Sequence, residues 1–173
     1  MKNVFIIMLL TSFIPLSGCD LSNDTSNVLT ESSTMQFDNI DYVFTNFWFG
    51  EIRYEETGYY TMSLTMDVEI TNNREDTLAT SQSSDAVVLH KKGSDPWGLP
   101  SGSIGSCRKS FLDNSESTTC SVDIVFTQNE GFTDYGVYKI FLRIDKTYTK
   151  SEDYFYLEIK EDALKLIRDT KEE

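Results

Sequence analysis

The stretch YTMSLTMDVEIT, residues 60–71, alternates between apolar and polar side chains along its whole length. Met62, Leu64, Met66, Val68 and Ile70 fall on one face; Thr61, Ser63, Thr65, Asp67, Glu69 and Thr71 fall on the other. A period of two over this length defines a β-strand with one buried face and one wet face. Asn72-Asn73-Arg74-Glu75-Asp76 follows and ends the strand with turn-forming residues.

Two further stretches carry the same pattern. In CSVDIVF, Cys120, Val122, Ile124 and Phe126 share a face, and in VYKIFLRI, Tyr138, Ile140, Leu142 and Ile144 do. Around them we place a first strand near 40–52, a short one near 85–91, another near 105–112 and a last near 153–159. The first carries apolar residues in both registers, which calls for a bulge or a switch between sheets. GSDPWGLPSGSIGS, residues 93–106, is the main irregular loop by its Gly, Pro and Ser content. In EDALKLIRDTKEE, Ala163, Leu164, Leu166 and Ile167 stand at helical spacing, so a short C-terminal helix over 161–173 is expected, covering a sheet edge. The expected architecture is all-β: a two-sheet sandwich of about seven strands closed by that helix, with the sandwich over 39–160.

DYGVYKI, residues 134–140, resembles the Asp-x-Gly-x-Tyr-x-Cys corner of immunoglobulin-type domains. Asp134, Gly136 and Tyr138 match, and Ile140 stands where the cysteine would be. The resemblance implies an immunoglobulin-like sandwich in which Tyr138 closes a tyrosine corner, its hydroxyl bonding backbone a few residues upstream. The departure at Ile140 implies that apolar packing, not an inter-sheet disulfide of that type, holds the sheets together. MDVEITNNREDT, a loop-containing middle and SESTTCSVDIVF are similar to the telokin-like, immunoglobulin-fold domains of exported bacterial lipoproteins of unknown function. That likeness spans about 58–145 and implies a fold and an envelope location, with no catalytic residues.

The N-terminus agrees with export. Met1-Lys2-Asn3, an uncharged run from Val4 to Leu10 and small residues at Ser17-Gly18 describe a signal peptide over 1–18. Its apolar run is shorter than the ~20 residues that span a bilayer. Leu16-Ser17-Gly18-Cys19 resembles the lipobox of bacterial lipoproteins, which implies lipid attachment at Cys19 and cleavage before it. Several acyl chains give the stable anchoring that one does not. Asp20 resembles the signal that keeps enterobacterial lipoproteins on the inner membrane, facing the periplasm; the outer membrane is the alternative. Residues 19–38 are rich in Ser, Thr, Asn and Asp and read as a flexible tether with a reach of roughly 25 Å.

Removing residues 1–18 takes one lysine from a chain of net charge −13, leaving −14. Such acidity opposes nucleic acid, whose phosphates reward basic surfaces. It suits solubility, or attraction of a basic partner. In an oxidising compartment Cys107 and Cys120 read as a disulfide. Direct opposition in a hairpin would centre the turn on Asp113-Asn114; a longer turn through SEST with an offset register is the alternative.

Catalytic chemistry has no recognisable spacing here. The single histidine, His90, reads as an exposed strand-end residue beside Lys91-Lys92. GLPSGSIG lacks the lysine of a phosphate loop. DNSES has acidic-polar turn chemistry but no calcium-loop register. The aromatic clusters NFWFG, GYY and YFY serve either the core or a contact platform for glycan or protein. The expectation is a binding or structural module with a protein partner in the envelope, no cofactor, no metal and no enzymatic activity. Its rival is an acidic inhibitor of a basic enzyme, or a lipoprotein excluding phage or plasmid.

Overall fold

The computed structural model describes residues 28–80, 85–93, 100–144, 147–148 and 154–167. The signal peptide expected over 1–18, Cys19 and Asp20 lie outside them. Along the chain the strands are β1 (Val28–Leu29), β2 (Ser33–Phe37), β3 (Ile40–Phe49), β4 (Arg53–Tyr54), β5 (Tyr60–Asn72), β6 (Leu78–Ala79) and β7 (Ala86–Lys91). They continue with β8 (Ser101–Ser103), β9 (Phe111–Leu112), β10 (Ser117–Gln128), β11 (Gly136–Ile144), β12 (Thr147–Tyr148), β13 (Tyr154–Ile159) and β14 (Leu164–Ile167).

The strands form two antiparallel sheets facing each other. The first runs β1-β3-β5-β10, with β2 beside β3 and β4 beside β5; the second runs β14-β13-β11-β7-β8, with β12 beside β11. A small sheet pairs β6 with β9. Successive long strands therefore change sheets: β3 and β5 in the first, β7 in the second, β10 back in the first, then β11 and β13 in the second. This is the Greek-key order of an immunoglobulin-like sandwich.

Periodicity builds the core. Met62, Leu64, Met66, Val68 and Ile70 are all 2 % exposed or less, and they meet the inward rows of β10 and β11. Each such side chain contributes about 1.5–3 kcal/mol by leaving water. β5 and β10 pair along their whole length, from Ser117 opposite Thr71 to Gln128 opposite Tyr60.

The expected irregularity in β3 is a bulge. Thr45 opposes Asp67 and Trp48 opposes Thr65, so Asn46 and Phe47 together face Met66. Asn46 takes φ 53°, a left-handed conformation that asparagine tolerates, and its amide bonds the Asp67 carboxylate at 2.8 Å. The extra residue resets the alternation, so Phe44, Phe47 and Phe49 all point inward and Trp48 points out.

The second sheet is joined to the first along one side. After β8, Gly105 bridges to Ser121 of β10. A Cβ at Gly102 would lie 2.3 Å from the Asp123 carbonyl oxygen, so only glycine fits this backbone approach.

Three sequence expectations are corrected. Part of the tether is strand: β1 and β2 pair with β3, because Met35 packs in the core at 3 % exposure and Phe37 packs against it. The C-terminal helix is instead β14, an edge strand on β13, with Leu164 and Leu166 buried at a period of two. The strand near 105–112 is β8 upstream and β9 downstream, with an irregular stretch through Cys107 between them.

The disulfide joins Cys107 to Cys120 with a Cα separation of 4.0 Å. Cys120 lies in β10 opposite Val68, and Cys107 lies on the adjoining stretch. The Arg108 amide donates to the Thr119 carbonyl, and a turn runs from Asp113 to Glu116. The turn is thus a tight one centred on Asn114-Ser115, one residue past Asp113-Asn114, and β9 pairs with β6 rather than with β10.

Candidate functional site

The outer face of the first sheet brings together groups far apart in sequence. β3, β5 and β10 contain no lysine, arginine or histidine. Their outward positions include Asp41, Asp67, Glu69 and Asp123 among threonines and serines. Neighbouring polar groups orient three of these carboxylates: Gln36 and Asn73 donate to Asp41, Asn46 to Asp67, and Thr65 to Asp123 at 2.7 Å. At the bulge end this face turns apolar. Trp48 is 43 % exposed, Val125 59 % and Val28 39 %. Val28 opposes Trp48, and Val125 opposes Ser63. A Cβ built on Gly50 would meet both Ser63 and the Trp48 ring, which places the ring over that glycine and toward β5. The indole is thus exposed on one side and held on the other.

Beyond it, β4 and the turn into β5 carry more aromatic surface. The Tyr54 and Tyr60 rings pack tilted against each other at 5.1 Å between centroids, and Tyr54 and Tyr59 are exposed. The aromatic clusters of the sequence are therefore divided by the pleat. NFWFG gives two rings to the core and Trp48 to solvent, and GYY lies largely at the surface. YFY buries Phe155 and leaves Tyr154 and Tyr156 half-buried on the second sheet, with Lys139 over the Tyr154 ring.

Near that end stands the tyrosine corner. The Tyr138 hydroxyl donates to the Asp134 carbonyl at 2.7 Å. Burial, with the Asp134 charge adding to it, pushes this phenol well above the usual tyrosine range. The Asp134 carboxylate accepts from Gln128 and lies 3.7 Å from the Lys91 ammonium. Gly136 takes φ 143°, which favours glycine. These groups hold the start of β11.

At the opposite end of the sandwich the two sheets part around a cavity of about 310 Å³. Ile40, Ile70, Ile104 and Ile144 line it with Tyr42, Asp38, Arg74 and Asp85. Tyr42 is 4 % exposed, and no hydrogen bond joins its hydroxyl to any of the described residues. Burial first, then Asp85 and Asp38, raises its pKa well above the usual value. Arg74 sits at the mouth, bonded to Asp76 at 2.6 Å and to Asp38 at 3.1 Å. Asp38 and Asn39 both have positive φ, the form of a tight two-residue hairpin between β2 and β3. Arg74 holds the Asp76 carboxyl below the usual range.

The sequence did not single out this cavity as a site, because its groups come from five separated segments. The one available signal was Tyr42, a polar-tipped ring in the inward register of β3.

Other residues considered from sequence have structural settings. His90 is half-buried in β7 opposite Lys139, rather than exposed. DNSES is a closed turn: Glu116 accepts from the Asp113 amide and bonds Lys109, and both interactions lower its pKa. Among the described residues no group of three or more His, Cys, Asp or Glu is placed to hold a metal ion.

No protein-family model and no curated protein matches the chain. Among solved structures it is similar to an uncharacterized β-sandwich protein from Clostridium difficile 630, at 12 % identity and a TM-score of 0.44, over 74 % of this chain and 90 % of that one. It is also similar to a functionally unknown protein from Listeria monocytogenes EGD-e, at 15 % identity and a TM-score of 0.37, over 72 % and 83 % respectively.

Proposed function

We propose that this chain is a lipid-anchored envelope protein, facing the periplasm, that works by binding another protein across the outer face of its first sheet. The lipobox-like Leu16-Ser17-Gly18-Cys19 supports the anchor, and Asp20 favours the inner membrane. The observation that carries the binding reading is the exposed Trp48–Val125–Val28 patch beside an acidic face that has no basic residue on its three long strands. Partly held tryptophans are typical anchors of protein interfaces. Two measurements test it. Cys19→Ser should release the protein from membranes; retention would refute the anchor. A photo-crosslinking residue at Val125 should capture one discrete partner in envelopes, and Trp48→Ala should abolish the adduct. Unchanged capture without Trp48 would refute the face.

A second reading is favoured by Asp41, Asp67, Glu69 and Asp123 lying together: inhibition of a basic envelope enzyme such as a lysozyme. Capture of such a partner should weaken steeply as salt rises from about 0.05 to 0.5 M, because screening shortens the reach of surface charge. Capture through the aromatic patch should be largely salt-insensitive.

A further inference from the structure

The outer faces of the two sheets carry opposite charges that no ion pair among the described residues neutralises. On the first sheet Asp41, Asp67 and Asp123 accept only from neutral groups, and neither they nor Glu69 has a cation within ion-pair distance among the described residues. On the second sheet Lys139 and Arg143 alternate with buried Tyr138, Ile140 and Leu142, and Lys165 stands between buried Leu164 and Leu166, so all three point outward. None of the three has a carboxylate partner among the described residues. The one carboxylate on β7, β11, β13 and β14 is Glu158, and it pairs with Lys160 at 3.3 Å. The Arg143 Nε is buried and bonds nothing among the described residues. That is a costly state for a charged group, and a carboxylate arriving from outside supplies the counter-ion it lacks.

Register gives the two sets of charges the same shape. Asp123 lies opposite Thr65 and Asp41 opposite Thr71, so the acidic line spans six residues of β5 and two strand spacings, with Asp67 and Glu69 between its ends. Lys165 lies opposite Glu158 and Glu158 opposite Val137, so the basic line from Arg143 to Lys165 also spans six residues of β11 and two strand spacings, with Lys139 between its ends. Each line runs about 20 Å along the strands and about 10 Å across them. We propose that these lines dock on each other between copies of this chain: Lys139 meets the Asp67–Glu69 pair, and Arg143 and Lys165 meet the end carboxylates Asp41 and Asp123. The partner of the first sheet is then a second copy presenting its second sheet, an inference that rests on the binding reading above. Because the contact joins unlike faces, it repeats from copy to copy and gathers anchored chains into rows or closed rings. The net negative charge of the chain does not prevent this. Exposed charges more than about 8 Å apart are largely screened at physiological salt, whereas the facing ammonium, guanidinium and carboxylate groups are in contact.

The test is photo-crosslinking in cells that make the full-length chain in two differently tagged copies, with the probe at position 125 of the first copy. Val125 follows Asp123 on the outer face of β10, so the probe lies beside one end of the acidic line. The adduct should carry the second tag. Arg143→Glu with Lys165→Glu in the second copy should lower its yield at least about tenfold, because like charges then face each other. Asp41→Lys with Asp123→Lys in the first copy should do the same, and the two altered copies together should restore the adduct. Protease resistance shows which variants fold. Lys165→Glu alone, at an exposed position, should also lower the yield and serves if a double variant does not fold. An adduct with a different protein, lacking the second tag, would overturn the pairing of copies and leave the binding reading standing; no adduct at all would overturn both. Undiminished self-capture after charge reversal, or no restoration by two folded, oppositely reversed copies, would overturn the charged contact.

Discussion

Replacing Asn72 by alanine should be among the most damaging single changes to this domain. Asn72 ends β5 and is 0 % exposed. Its amide nitrogen donates to the Asp76 carbonyl at 2.8 Å and the Leu112 carbonyl at 3.0 Å, and its Oδ1 accepts from the Arg74 amide at 3.0 Å. Its backbone also joins the turn at 113–116, through Glu116 and Ser115. One side chain therefore fastens the 72–76 turn to the strand carrying Leu112. Three bonds at about 1 kcal/mol each give about 3 kcal/mol. Water can replace the partners near exposed Asp76, but Leu112 is wholly buried and its carbonyl is not so easily resolvated. The expected loss is therefore about 2–4 kcal/mol. Urea unfolding of the oxidised protein should show a midpoint lowered by about 1–2 M with the slope unchanged. Asn72→Asp is the sharper comparison. It keeps the acceptor for Arg74, loses both donors and aims a carboxylate at two carbonyls, so it should be worse than alanine. A loss below about 1 kcal/mol for alanine, or an aspartate variant as stable as the parent, would refute this reasoning.

Tyr138→Phe should cost about 1 kcal/mol in the same assay, since it removes the bond to the Asp134 carbonyl; an unchanged midpoint would mean the corner hydroxyl is not stabilising. Non-reducing peptide mapping should find Cys107 joined to Cys120, and replacing both by serine should cost about 3 kcal/mol for a loop of this length; two alkylatable thiols would refute the pairing. Tyr42 and Tyr138 both have folded pKa values raised above the unfolded value. Their contribution is fully present below about pH 10 and is lost as pH rises from there toward the folded values. Ultraviolet titration should show these two tyrosines ionising last, and Tyr138→Phe should flatten the alkaline loss of stability; simultaneous ionisation of all nine tyrosines in the folded chain would refute their burial.

How much could be read in the sequence depended on how completely one face was buried. β5, β10 and β11 were legible because each sets an unbroken inward row against an outward one, and a slip by one residue would expose the whole row. The C-terminal segment was ambiguous for a physical reason. Ala163, Leu164 and Ile167 fit a helical spacing while Leu164 and Leu166 fit a period of two, and the open edge of β13 decided for the strand. The tether reading averaged Met35 and Phe37 into polar surroundings, whereas two apolar side chains facing β3 are enough to hold a short strand. The disulfide pairing was legible from two cysteines, but its register was not, because the stretch through Cys107 leaves the ladder. The candidate surfaces were half visible. Outward Asp67 and Glu69 follow from alternation alone, but only the bulge decides that Trp48 joins them. The cavity needed the folded chain, since Asp38, Arg74 and Asp85 meet Tyr42 only across turns and sheets.

The bulge in β3 has a consequence for how this strand can change over time. Without the extra position, the alternation set by Phe44 would turn Phe47 and Phe49 outward and Trp48 inward. With it, each half of the strand is separately in phase. Deleting Asn46, or Thr45 beside it, therefore leaves every aromatic side chain of β3 on its present face, because the ladder then simply becomes regular. Loss of Phe47 or Trp48 makes the ladder regular only by turning Asn46 inward and losing or exposing the Phe47 ring. Length variation should thus be tolerated at residues 45–46 and resisted beyond them, and a ΔAsn46 chain should fold while a ΔTrp48 chain loses the surface indole and the packing of either Phe47 or Phe49. The patch that faces a partner and the rings that fill the core are tied to a single spare residue, so neither can drift in register without the other.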